Sequence, residues 1–168
     1  MNAIEAMYNR RSIRKYKDRP VEKEKIESLL KAAMAAPSAR NVQEWHFFVV
    51  QGAEKMRELK SIMPHGKFDA PCAIIVCGDL NNADRETARK YWVQDCTAAL
   101  ENILNAAPEL GLGTVWLGVY PNEDRVEPTK KYLKLEENMM PLAVVYVGYP
   151  DEIKEPRTQY DENKVTYF

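Results

Sequence analysis

The sequence predicts an α+β fold, a central sheet of about four strands flanked by helices. Two patterns carry this expectation. Short apolar runs at 45–50, 73–77, 114–119 and 142–147 read as strands, and those at 73–77 and 142–147 are so uniformly apolar that they mark strands covered on both faces. Between the runs lie stretches with apolar residues at helical spacing, the longest kept up over four turns. A length of 168 residues suits one domain, large enough to bury roughly 70% of the surface its unfolded chain exposes.

Residues 2–9 read as a short helix leading into Arg10-Arg11-Ser12-Ile13-Arg14-Lys15-Tyr16. Lys17-Asp18-Arg19-Pro20 is a polar turn. Ile26, Leu29, Leu30, Ala33 and Met34 then recur as one buried helix face, which Pro37 stops because the residue before proline leaves helical geometry. Pro37-Ser38-Ala39-Arg40-Asn41-Val42-Gln43 is a polar loop of small residues. After the strand at 45–50, which Gly52 ends, residues 53–63 form a helix with Met56, Leu59 and Met63 inward. Residues 64–67 are a loop before the 73–77 strand. Asp79 to Asp84 turns into the long helix, whose stripe is Trp92, Cys96, Ala99, Leu100, Ile103, Leu104 and Ala107. Pro108 and Gly111 end that helix. Gly111-Leu112-Gly113 has the wrong order for a dinucleotide fingerprint, standing between helix and strand, and is read as a tight connection. Asn122 is placed to cap a helix carrying Glu123 and Asp124 in its first turn. Pro150 closes the last strand. The polar arm 151–168 ends in Val165-Thr166-Tyr167-Phe168, which pattern alone leaves as either a frayed tail or a strand for another subunit's sheet edge.

Composition narrows the function. A net charge of −1 gives no global basic field for nucleic acid or an anionic membrane. No apolar run is long enough to span a bilayer, no signal-peptide pattern opens the chain, and a cytoplasmic protein is expected. Cys72, Cys77 and Cys96 lack metal-site spacing and read as buried free thiols. His46 and His65 stand alone, so no metal is expected. No nucleophile elbow, zinc motif or P-loop is present, and no carboxylate pair stands out, so function rests on a cofactor or on binding alone. Against this neutral background, four cations within residues 10–16 are conspicuous. Alone they fit either a solvated turn or a phosphate site.

Taken together, Arg10–Tyr16, Pro37-Ser38-Ala39-Arg40-Asn41-Val42-Gln43-Glu44-Trp45, Gly111-Leu112-Gly113-Thr114-Val115-Trp116-Leu117-Gly118 and the late Arg157 resemble, in order and spacing, the nitroreductase family of FMN-dependent oxidoreductases. The likeness spans essentially the whole chain and suits short members of the family. It implies a mainly antiparallel sheet in an intertwined homodimer, with FMN at the interface. Residues 1–150 would form the FMN-binding domain, and 151–168 an arm that embraces the partner and adds its last residues to the partner's sheet.

The resemblance also implies roles. Arg10, Arg11, Ser12 and Arg14 match the residues around the FMN phosphate, ribityl chain and ring edge, with Arg10, Ser12 and Arg14 alternating toward one ligand and Arg11 and Lys15 pointing elsewhere. Arg157 matches the cation that closes on the phosphate. Pro37, Ser38, Ala39 and Asn41 match the loop that packs on the flavin from the opposite subunit; Gln43 shares that motif and reads also as structural. Trp116, Leu117 and Gly118 match the segment facing the reactive ring edge, although Trp116, like Trp45, reads as core by pattern. Chemistry is carried by FMN, with no catalytic side chain. NADH or NADPH is the implied donor, and a nitroaromatic, quinone or similar small electron-poor molecule the acceptor, in a ping-pong hydride scheme. The alternatives are other FMN chemistry on the same fold (dehalogenation, flavin fragmentation, azoline oxidation) or a non-catalytic flavin-binding or sensing dimer.

The chain departs from the family pattern at two places. Glu44 stands where proline is frequent, and Glu155 where some members carry a lysine. No lid insertion is found near 64–69, which implies an open pocket or one covered by the partner alone.

Overall fold

The computed structural model describes residues 2–82 and 84–168; Ala83, within the expected 79–84 turn, lies outside them. Four strands form one sheet: β1 (Trp45–Gln51), β2 (Cys72–Asp79), β3 (Gly113–Gly118) and β4 (Met139–Gly148). Their order is β1-β2-β4-β3, and every neighbouring pair is antiparallel. The helices are α1 (Ala3–Asn9), α2 (Lys23–Met34), α3 (Ala53–Ile62), α4 (Arg85–Ala106) and α5 (Glu123–Leu133).

The uniform apolarity of β2 and β4 follows from their central position. Successive side chains of a strand point to opposite faces. Cys72, Ile74 and Val76 therefore meet α2 and α4, packing with Leu29, Cys96 and Ile103. Ala73, Ile75 and Cys77 meet the other helical layer, packing with Met56, Leu59 and Val126. β4 divides in the same way, Val145 and Val147 on one side, Val144 and Tyr146 on the other. Every residue of the expected α4 stripe is buried. The cysteines are free and buried; desolvation pushes the thiols of Cys72 and Cys77 up to about 12 and that of Cys96 higher still, so none is a ready nucleophile. Among the described residues, no helix is long and apolar enough to cross a membrane.

The junction after α4 positions the site. Gly111 adopts φ +69°, which reverses the chain, and the Leu112 N–H returns to the Ala107 carbonyl. A Cβ on Gly113 would lie 2.7 Å from Ile13, so a glycine here is what lets Ile13 sink against the start of β3.

Three local expectations are corrected. Met34 is exposed, because it lies about 100° further round α2 than Ala33 and off the face that meets α4. Asn122 precedes α5, but its carbonyl rather than its side chain serves the cap, accepting from Arg125 and Val126. Trp116 is 36% exposed rather than core, because β3 is an outer strand whose main neighbour is β4 alone. The arm pairs with no strand of its own chain among the described residues, and Ile153, Tyr160, Tyr167 and Phe168 are exposed.

Candidate cofactor site

The 10–16 segment is held at the sheet margin by its one apolar member. Ile13 is buried on Gly113, and its N–H donates to the Thr114 carbonyl at 2.8 Å. A single parallel bridge joins Ser12 to Thr114. The Tyr16 hydroxyl donates back to the Ile13 carbonyl at 2.6 Å, and burial raises that phenol far above its ordinary range.

The root of the arm fastens the same segment from outside. Lys17 N–H donates to the Tyr149 carbonyl, and Asp151 N–H to that of Lys15, both at 2.9 Å. The Glu152 carboxylate accepts the Arg14 and Lys15 N–H groups. The Arg14 N–H above all holds Glu152 below its ordinary pKa. Lys154 donates to the Ser12 carbonyl and lies 3.4 Å from Glu152.

These contacts leave the cations around two hollows. Arg10, Arg11 and Lys154 line one, with a single carboxylate, Glu152, beside Gly111–Thr114. Arg10 lies 4.0 Å from Glu101, and Arg11 donates to the Glu155 carbonyl. Arg14, Trp116, Leu117 and Gly118 line the other, with His65 and Arg125. The Arg14 guanidinium sits 5.9 Å from the Phe68 ring centre, and Arg125 donates to the Gly118 carbonyl at 3.0 Å. A Cβ on Gly118 would meet nothing within 4 Å, so the backbone here faces open space. Arg10 and Arg11 share one hollow and Arg14 lines the other.

The 37–43 loop lines neither hollow of its own chain. Ala39–Asn41 form one short turn, and Arg40, Asn41 and Gln43 all take positive φ, a costly geometry for non-glycine residues that surrounding bonds must hold. Gln43 N–H donates to the Ser38 hydroxyl, and the Gln43 side chain to Asn41, each at 3.0 Å. Ser38, Asn41 and Gln43 thus shape the loop itself. Ala39 N–H donates to the Asp95 carboxylate of α4 at 2.9 Å, and Arg40 pairs with Asp84 at 3.0 Å. Arg157 belongs to neither hollow; its N–H donates to the Tyr8 carbonyl at 3.1 Å, tying the arm to α1.

Two residues escaped the sequence reading. Lys154 stands one place before Glu155, the position where the family cation was missed. Asp95 shares a helix face with Ala99, four residues on, and a carboxylate beside a buried stripe was the signal available.

The model of the nitroreductase family matches residues 7–65 and 64–149. A Methanothermobacter thermautotrophicus protein provisionally named NADH dehydrogenase/NAD(P)H nitroreductase is 45% identical over 167 residues, covering 98% of this chain and 86% of its own. A similarly named Bacteroides thetaiotaomicron structure superposes with a TM-score of 0.90 at 42% identity, covering 98% of this chain and 96% of the other. The structure of an FMN-dependent nitroreductase from Clostridium difficile gives 0.86 at 33% identity, covering 98% of each chain.

Proposed function

This chain belongs to the nitroreductase family, and on that premise we propose that it is an FMN-dependent NAD(P)H oxidoreductase acting on nitroaromatic, quinone or similar electron-poor acceptors. The observation that carries the reading is the pair of hollows at the two ends of residues 10–14, one cationic and the other flanked by an exposed tryptophan and an open glycine backbone. A ligand with an anionic tail and a flat ring fits that pairing.

Arg10, Arg11, Ser12 and Lys154 would hold the phosphate and ribityl chain. Charge-assisted hydrogen bonds of this kind are worth about 1.5–3 kcal/mol each. Arg157, carried on the arm, would close on the phosphate. Arg14 and the backbone of Leu117 and Gly118 would border the ring, with Trp116 beside them. When bound, FMN supplies two-electron transfer from NADH or NADPH to the acceptor. The protein's part is to bind, orient and shield, and no side chain need act as nucleophile.

The loop that lines neither hollow finds its use in a homodimer, where Pro37, Ser38, Ala39, Asn41 and Gln43 of a second copy would cover the ring. The exposed apolar residues of α1 (Ile4, Met7, Tyr8) and of the arm support such a partner. Val165–Phe168 would add to its sheet.

Steady-state rates with varied NADH or NADPH and varied quinone test this reading. It expects parallel double-reciprocal lines. Turnover of no acceptor by the FMN-loaded protein would sink it.

A further inference from the structure

Glu44 joins the 37–43 loop to β1, and its carboxylate is turned into the protein. The residue is 1% exposed, and among the described residues neither carboxylate oxygen has a hydrogen-bond donor. Only its backbone is well served, the carbonyl accepting from Asp79 N–H at 2.7 Å. The groups facing the side chain come from two elements. α4 presents the Asp95 carboxylate and the Cys96 thiol, and β2 presents the Cys77 carbonyl, which accepts from that thiol at 3.5 Å. Among the described residues no cation acts on Glu44; Arg40, the nearest in sequence, is paired with Asp84 on the loop's outer side. Asp95 is itself buried and already accepts the Ala39 N–H.

Two ionised carboxylates in such a place repel each other and lack solvent. A proton between them removes the repulsion and supplies the missing donor in one step. We infer that Glu44 keeps its proton and donates it to Asp95, so that the two residues clamp the 37–43 loop to α4 as a positioning pair. Burial pushes the Glu44 carboxyl up to about 7, its own backbone N–H draws it partly back, and Asp95 adds to the rise, in keeping with the geometry.

In the unfolded chain Glu44 loses its proton near an ordinary 4.5, whereas in the folded chain it keeps it to about 7. Stability is therefore full below the lower value, falls as pH rises between the two, and levels off above the higher. Raising the pH releases the proton to solvent, restores two facing negative charges and loosens the loop. A consequence for FMN rests on the cofactor reading above: affinity falls through the neutral range as the loop loses its clamp.

Three measurements on the full chain test the pair. Infrared spectra at pH 6 and pH 9 look for the carbonyl stretch of a buried protonated carboxyl; it is expected at pH 6, lost at pH 9 and absent from Glu44→Gln at both. Urea midpoints from pH 5 to 9, without added flavin, are expected to decline in the wild type, with a flatter profile in Glu44→Gln and in Asp95→Asn. FMN titrations over the same range are expected to weaken with pH in the wild type and to hold level in Glu44→Gln. No protonated-carboxyl band, or parallel urea profiles, overturns the shared proton. Parallel FMN profiles overturn the clamp. Failure to bind FMN at any pH overturns the cofactor reading, and the first two measurements still decide the pair. Should a variant fail to fold, the wild-type infrared spectra across pH decide it.

Discussion

The two stretches proposed to meet one cofactor are built in opposite ways. Residues 10–16 turn charge outward: Arg10, Arg11 and Arg14 border open hollows, anchored by the buried Ile13 beneath and by the root of the arm outside. Residues 37–44 carry small side chains at Pro37, Ser38 and Ala39, leave Arg40 exposed on the outer side, and bury a carboxyl group, with Glu44 and Asp95 beneath the loop. A segment that must attract a dianion gains from exposed cations anchored by the backbone. A loop that must approach a flat ring gains from short side chains, and its unusual dihedral angles need support from below.

Three substitutions sharpen that contrast. The largest effect is expected for Ile13→Ala, which removes the anchor of the cationic segment. Truncating a buried isoleucine costs about 2–5 kcal/mol, read as a lower urea midpoint, and FMN affinity should fall with it. An unchanged midpoint would mean that the arm, through Glu152 and Lys154, holds the segment by itself.

Arg10→Ala comes next. Losing one charge-assisted contact weakens FMN binding by about 10- to 100-fold while leaving the fold intact. A fluorescence titration checks this, and an unchanged affinity would move the phosphate away from this hollow. The smallest effect is expected for Arg40→Ala. Arg40 is exposed and pairs with Asp84 at the surface, so the change should cost about 1 kcal/mol or less. A larger loss in thermal or urea unfolding would show that the outer face of the loop, not the Glu44–Asp95 side, sustains its shape.

The same contrast explains what could be read in advance. The sheet was legible because β2 and β4 are covered on both sides and leave no polar residue in their runs. The α4 stripe was legible because one helix face is buried along its length. The cationic segment was legible because outward charge shows as density against a neutral chain. Inward charge has no such signature: a glutamate in a sequence reads as surface, and only the fold brings Glu44 under the loop and against Asp95. The loop's positive φ values at Arg40, Asn41 and Gln43 were hidden for a related reason, since no glycine marks them. Trp116 was misread as core because an apolar residue in a strand does not reveal whether that strand lies at the edge. Lys154 was missed because its contacts with the Ser12 carbonyl and Glu152 join residues far apart in the chain.

Titrating the flavin-free chain with FMN and, separately, with riboflavin tests the central claim most directly, because the two ligands share a ring and differ by the phosphate. The account predicts one FMN bound per chain, with riboflavin at least about tenfold weaker, as the loss of one charge-assisted contact alone would give. Equal affinity for the two, or no uptake of FMN, would contradict it.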